Sequence, residues 1–444
     1  MTEPLIKRLL FSVFILLSLG FVPGDFVRET DKIFNPYLRD VKTDSTTRSA
    51  ASYSPTTKPP PSASTSRVNR RPVTIPERAC PVECFCKSDL RSGKSAVCTS
   101  KRRISSFIPN LHQTLNVLEF IGLNQTKLDV KMFRRFSVLK KLSLRNNNIK
   151  YIPTNAFEGL GLLAELDLGH NALAETEDET EKMFEGLRNI ASLNLECNDF
   201  RWIPKAQLET LKNLERLNLH GNLIEDVTRT PLQMDDFELV SLFHLNLSSN
   251  YIRTMYQLPL GPMDELLTLD LGFNYISTIW PNSFENMPNL GALLLGGNQL
   301  DSIDAQVFSH LKHLKILDLK NNKFNYVTDG MFSYIWKLQY VGLDRNPLTC
   351  DCKLDWIQAV LHGSFTDNYP WAKKWLRNEK DNEGNSITGT PTCVLPASMA
   401  DLPLDNFTIG DFTCSKPYVI TANATYLFIS ENEVTKIEAS AYSV

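Results

Sequence analysis

Nine asparagines recur along this chain, at Asn147, Asn171, Asn198, Asn222, Asn250, Asn274, Asn298, Asn322 and Asn346. The intervals are 24 residues, apart from one of 27 and one of 28. Each asparagine closes the phrase L-x-x-L-x-L-x-x-N-x-(L/I/F), as in Leu139, Leu142, Leu144, Asn147 and Ile149; only Ile190 and Val341 replace a leucine in it. A period in this range marks a solenoid, in which each repeat packs only on its neighbours. Function in such a chain is expected on an extended surface and not in a catalytic cleft.

The phrase follows from burial. In L-x-L the side chains alternate across a short strand, so the leucines turn inward and the intervening residues outward. The strand then ends in a buried turn whose backbone groups need partners. An asparagine amide supplies both donors and an acceptor for them. A further apolar residue recurs in the second half of the repeats, at Phe133, Phe157, Phe184, Phe284, Phe308 and Phe332, with Leu208 and Leu260 in two others. One repeat cannot bury that much apolar surface alone, whereas stacked repeats share it as one continuous core.

On these residues the chain resembles the leucine-rich repeat family, in its 24-residue extracellular subtype, over about residues 80 to 414. A degenerate copy (Leu115, Leu118, Phe120) precedes the nine, with Leu123 in the asparagine's place. The resemblance implies an α/β fold: a leucine-rich repeat solenoid curved as a horseshoe, with a parallel β-sheet on its concave face and disulfide-bonded caps. Two repeats carry insertions, one an acidic run (Glu175, Glu177, Asp178, Glu179, Glu181), the other Asp226 to Asp236. The acidic run reads as a solvated loop in preference to a cation site.

Eight of the nine cysteines bracket the repeats: Cys80, Cys84, Cys86 and Cys98 before them, Cys350, Cys352, Cys393 and Cys414 after them. Neither group has the C-x2-C spacing of a zinc knuckle, so disulfides are expected and no metal or other cofactor is. Solenoid ends expose core, and a small cap over such an end needs cross-links. Spacing alone leaves three connectivities open in each group. Resemblance to the amino- and carboxy-terminal cysteine-rich caps of extracellular leucine-rich repeat proteins implies Cys80 with Cys86, Cys84 with Cys98, Cys350 with Cys393 and Cys352 with Cys414. The gap before Cys393 is long and holds Tyr369, Trp371 and Trp375, read as cap core. Cys197 is left over and is expected to be a shielded thiol near a strand end.

Lys7 and Arg8 followed by apolar Leu9 to Leu19 read as a secretory signal, too short to span a bilayer. Thr43 to Arg78 is rich in Ser, Thr and Pro and poor in apolar residues, the composition of a stalk. The expected organisation is therefore a signal peptide (1–24), a disordered stalk (25–79), an N-terminal cap (80–114), about ten repeats (115–346), a C-terminal cap (347–415) and a tail (416–444). In the tail, Pro417 to Val444 alternates as a strand pair would and resembles the start of an immunoglobulin-like segment. The expectation is a secreted, extracellular protein with no membrane span in this chain. A net charge of -3 with no concentrated basic face argues against nucleic acid.

Ten strands at about 4.8 Å spacing give a sheet of the order of 45 Å, ample for a protein epitope. Counting back from each asparagine assigns the outward positions. Early strands present polar groups (Lys140, Lys141, Arg145, Glu165, Asp167, Glu196, Arg216, His220) and later ones apolar groups: Phe243, Phe273, Leu294, Ile316 and Tyr340, beside His244. Gly272, Gly296, Gly297 and Gly342 are expected to leave room for a partner's backbone. Apolar groups gathered on a solvent face point to a partner. Phe243, His244, Phe273, Leu294, Ile316 and Tyr340 are the expected binding residues for an extracellular protein ligand or receptor. Self-association into a homodimer, as in a matrix component, and a place in a longer receptor with immunoglobulin-like domains are the alternatives. Sequons occur at Asn124, Asn246, Asn406 and Asn423, with Asn246 expected to project from the concave sheet. No phosphate-cradling loop, nucleophile elbow or metal-ligand spacing is present, so catalysis is not expected.

Overall fold

The computed structural model describes residues 80–89, 93–99, 102–175, 182–227, 239–256, 258, 262–354, 357, 391–408 and 411–412, and the backbone of 419–422 and 425–428. All of these belong to one compact unit. The signal, the stalk, the acidic run beyond Glu175, the insertion 228–238, Leu260, Tyr369, Trp371 and Trp375 lie outside the described residues.

The repeats build one sheet of twelve strands. Ten are parallel rungs, from Val117–Ile121 through Lys141–Ser143, Arg216–Asn218 and Ala292–Leu294 to Tyr340–Gly342. Register is kept throughout, so Leu142, Leu166, Leu193, Leu217, Leu245, Leu269, Leu293, Leu317 and Val341 stand side by side. The other two strands belong to the N-terminal cap. Cys84–Asp89 and Gly93–Thr99 form an antiparallel hairpin, and its second strand pairs in parallel with the first rung. The cap thus continues the sheet, which its cysteine spacing did not reveal.

The core is a single column of apolar side chains. The strand leucines are buried, as are the recurring Phe133, Phe157, Phe184, Leu208, Phe284, Phe308 and Phe332. The asparagines bridge successive turns as their chemistry requires. Asn222 donates from Nδ2 to the carbonyls of Leu195 and Leu219, both at 3.0 Å, and its Oδ1 accepts from the Phe200 amide at 3.2 Å. The same arrangement recurs at Asn250, Asn274, Asn298 and Asn322. Where Leu123 interrupts the series, buried Gln125 takes over, accepting from the Ile104 amide at 3.1 Å.

Disulfides Cys80–Cys86, Cys84–Cys98 and Cys350–Cys393 form at the two ends. The expected partner of Cys352, Cys414, lies outside the described residues. In the C-terminal cap, Leu348–Thr349 pairs with Cys393–Leu395, which joins the last repeat to the cap through a backbone ladder beside the disulfide. The strand pair expected in the tail is present as Val419–Ala422 antiparallel to Thr425–Phe428.

Candidate functional site

The outward side of the sheet is organised in columns, one per position of the repeat. The middle outward column carries Asp167, Asn194, Asn218, Asn246, Asp270 and Asp318. Each carboxylate or amide oxygen accepts from the backbone amide two residues on: Gly169, Glu196, His220, Ser248, Gly272 and Lys320, at 2.9 to 3.1 Å. This is a second ladder, of Asx turns, parallel to the buried asparagines. It corrects the expectation for Asn246. Instead of projecting, that side chain is 8% exposed, and its Oδ1 accepts from both the amide and the hydroxyl of Ser248.

A further column immediately precedes the ladder asparagines, and every member has a positive φ. It runs Gly122, Asn146, His170, Cys197, Gly221, Ser249, Phe273, Gly297, Asn321, Arg345, with φ between 51° and 73°. Non-glycine residues resist this conformation by roughly 1–2 kcal/mol. The paired hydrogen bonds on either side impose it all the same. Phe273, expected to face a partner, sits at one of these corners and is half-buried. Its ring covers Gly297, where an added Cβ would stand 2.7 Å from the ring edge.

The apolar patch is corrected in the same way. Leu294, Ile316 and Tyr340 are buried, at 7%, 0% and 3% exposure, although their backbone positions are outward. Phe243 and His244 are half-buried, with the Arg216 guanidinium over the Phe243 ring at 4.7 Å. The glycines do not hold space open. A Cβ at Gly296 would meet the Asp318 carboxylate at 3.2 Å, and one at Gly342 would meet Lys320 at 2.8 Å. Their missing side chains admit the chain's own neighbouring groups. Lys320 crosses Gly342 to lie 3.2 Å from Asp344 and 5.7 Å from the centre of the Tyr340 ring. Burial opposes its charge, yet Tyr340, Asp318 and Asp344 raise the ammonium above its ordinary range. Burial likewise pushes the Asp270 carboxyl up to about 6 and raises that of Asp318.

The other half of the face is open. Glu165 and Arg216 are exposed and Lys141 pairs with Glu165 at 3.1 Å. At its centre Arg145 reaches across Gly169 to ion-pair with buried Glu196, two rungs away. A Cβ on Gly169 would lie 3.0 Å from both side chains. His170 Nε2 lies 3.5 Å from the same carboxylate oxygen, and Asn218 donates to its other oxygen at 2.8 Å. Burial works against the Glu196 charge, but His170 and Arg145 overcome it and hold the carboxyl at about 2. Hydrogen bonds with Cys197 and then Glu196 raise His170 to about 9. His220, paired with Ser248 at 2.8 Å, is lowered by burial. Cys197 carries no disulfide and is half-buried over Gly221. Sequence reading placed these residues on the face singly. Their convergence needed the column count to be combined with the glycine gap at position 169.

Comparison with known proteins agrees with this geometry. Three stretches, residues 104–173, 241–300 and 288–348, match the family model described as Leucine rich repeat. The fold is that of a leucine-rich repeat protein. The interval between the first two matched stretches, 174–240, holds both insertions in the repeat spacing. Among curated relatives, Leucine-rich repeat-containing protein 3 of Danio rerio is 32% identical over 101 residues, 22% of this chain and 37% of that protein. Chaoptin of Drosophila melanogaster is 35% identical over 88 residues, 19% of this chain and 7% of that protein. The repeat match to Leucine-rich repeat-containing G-protein coupled receptor 5 of Xenopus tropicalis is 32% identical over 99 residues, 22% of this chain and 11% of that receptor. The matches thus span little more than a third of any of these relatives. A chain of the mouse RP105/MD-1 complex superposes with a TM-score of 0.56 at 19% identity, over 71% of this chain and 49% of that one. A chain of the octameric complex of Latrophilin 3, Unc5D and FLRT2 (LRR) gives 0.57 at 19%, over 76% of this chain and all of that one. At such identity the structures share the leucine-rich repeat fold alone.

Proposed function

We propose that this leucine-rich repeat protein is an extracellular binding module that holds a protein partner on the open half of its sheet face, between Lys141 and His244. The observation that carries this reading is the contrast along the face. Charged groups are pre-set by the Arg145–Glu196–His170 cluster at one end, and the other end is already covered. Charged groups held in place before binding lose little entropy on docking and steer encounter. Leu294, Ile316 and Tyr340 have no surface left to offer and form the floor of the covered half. Phe243, His244 and Phe273, half-buried, border the open one. Disulfide caps favour an oxidising compartment. Both superposed chains come from complexes with further proteins, which suits a binding role over catalysis.

The test is a screen of the full chain against displayed extracellular domains, followed by charge reversal. Glu165→Lys and Arg216→Glu should each weaken capture of the partner by roughly tenfold, because each reverses an exposed charge at a complementary contact. Asp301→Lys, far along the outer flank, should not. Unchanged capture by both reversals would remove the site from this face.

A further inference from the structure

Beyond the ladder asparagines the chain leaves the sheet, and in two successive repeats this flank is aromatic. Tyr251 and Tyr275 follow Asn250 and Asn274 directly; Tyr256 and Trp280 stand six residues after them. Equal offsets place each pair in one column, and both pairs stack. Tyr251 lies 5.8 Å from Tyr275 at 21° between planes, and Tyr256 lies 5.7 Å from Trp280 at 20°. The platform is firmly seated. Thr254–Met255 and Thr278–Ile279 pair in parallel beneath it, and buried Ser283 donates to the Met255 carbonyl at 2.7 Å. Yet Tyr256 is 41% and Trp280 52% exposed. A rigid, stacked, water-facing indole and phenol side by side gain nothing from solvent.

Beside them runs a groove of about 760 Å³, within the size range of small-ligand sites. Glu225, Asp226, Arg253 and Asn282 border it together with Tyr256 and Trp280. Trp280 covers one face of Tyr256, so the opposite face is turned toward the preceding repeat, which carries Glu225 and Asp226. The polar wall mixes acceptor-only carboxylates, a donor-only guanidinium and an amide that does both. Two negative charges and one positive suit neither a polyanion nor a strongly basic peptide. They suit a neutral ligand with many hydroxyls, each able to donate to a carboxylate and accept from Arg253 or Asn282. The flat C–H face of a pyranose ring would lie on the aromatic platform.

We infer that this flank groove binds a neutral oligosaccharide, by stacking on Tyr256 and Trp280 and by hydrogen bonds to Glu225, Asp226, Arg253 and Asn282. The site is separate from the sheet face and does not depend on what binds there.

Titration of the full chain with cello-, malto-, chito- and manno-trisaccharide, followed by calorimetry, tests it. At least one should bind at millimolar affinity or better. Trp280→Ala and the isosteric double variant Glu225→Gln/Asp226→Asn should each weaken that binding by roughly tenfold or more. Trp336→Ala, which removes an exposed tryptophan of another repeat, should leave it unchanged. The carboxylate variant keeps the shape of two exposed side chains, so it remains informative even if Trp280→Ala lowers secretion. No binding by any of the four, binding that survives both groove variants, or groove-dependent binding of a proline-rich peptide in place of all four sugars would overturn the proposal.

Discussion

At the scale of single residues, the asparagines do the work that a continuous backbone ladder does elsewhere. Asn222 is buried and serves four backbone groups of two turns. Unsatisfied buried groups cost about 1–3 kcal/mol each, less what relaxation recovers. Asn222→Ala should therefore destabilise the protein by roughly 2–4 kcal/mol, read as a lower urea midpoint at unchanged slope. A loss below half a kcal/mol would mean that the turn finds other partners. Gln125 shows the same need met by a different residue. It is buried beside Leu123, where no asparagine stands, and accepts from the cap's Ile104 amide.

At the scale of elements, neighbouring rungs communicate through what is absent as much as through what is present. Gly169 lets Arg145 pass over one rung to Glu196, and Glu196 in turn holds His170. Glu196→Gln should remove the carboxylate that holds the imidazolium and lower the His170 pKa from about 9 toward its ordinary 6.5, a shift that histidine NMR titration measures directly. A His170 pKa unmoved by this change would mean that Cys197 alone sustains it. The linkage has a definite sign. His170 is raised, so its contribution is full below pH 6.5 and fades as pH climbs through about 9. Glu196 is lowered, so its contribution is full above pH 4.5 and fades as pH falls through about 2. The cluster therefore holds the rungs together best between pH 4.5 and 6.5.

At the scale of the whole molecule, the described solenoid has one open stretch of sheet, one covered stretch and a groove on its flank. Any glycan on a sequon must leave these usable. Asn124 and Asn406 are exposed, whereas Asn246 is a rung of the Asx ladder, with its amide oxygen engaged by the serine of its own sequon. Glycopeptide mass spectrometry of the chain expressed in eukaryotic cells should find Asn124 and Asn406 modified and Asn246 bare. A glycan on Asn246 would require that rung to be open and would place sugar over the middle of the sheet face.

Family resemblance implied the three cap disulfides that form, while periodicity was enough to read the strands, the leucine core and the buried asparagines. These are set by spacing along the chain: a 24-residue repeat puts equivalent residues side by side whatever surrounds them. Exposure on the outward face is not set that way. Ile316 and Phe243 both occupy outward positions, yet one is fully buried and the other is not. Asn246 looked free because alternation puts it outside, but its oxygen is turned back to Ser248. Whether an outward side chain meets solvent, a neighbour two rungs away or its own backbone depends on the gaps its neighbours leave. The sequence alone determined the solenoid and the columns, because both are repeats of local spacing. Only the tertiary structure decided which columns stay open, because burial on that face is a property of several rungs at once.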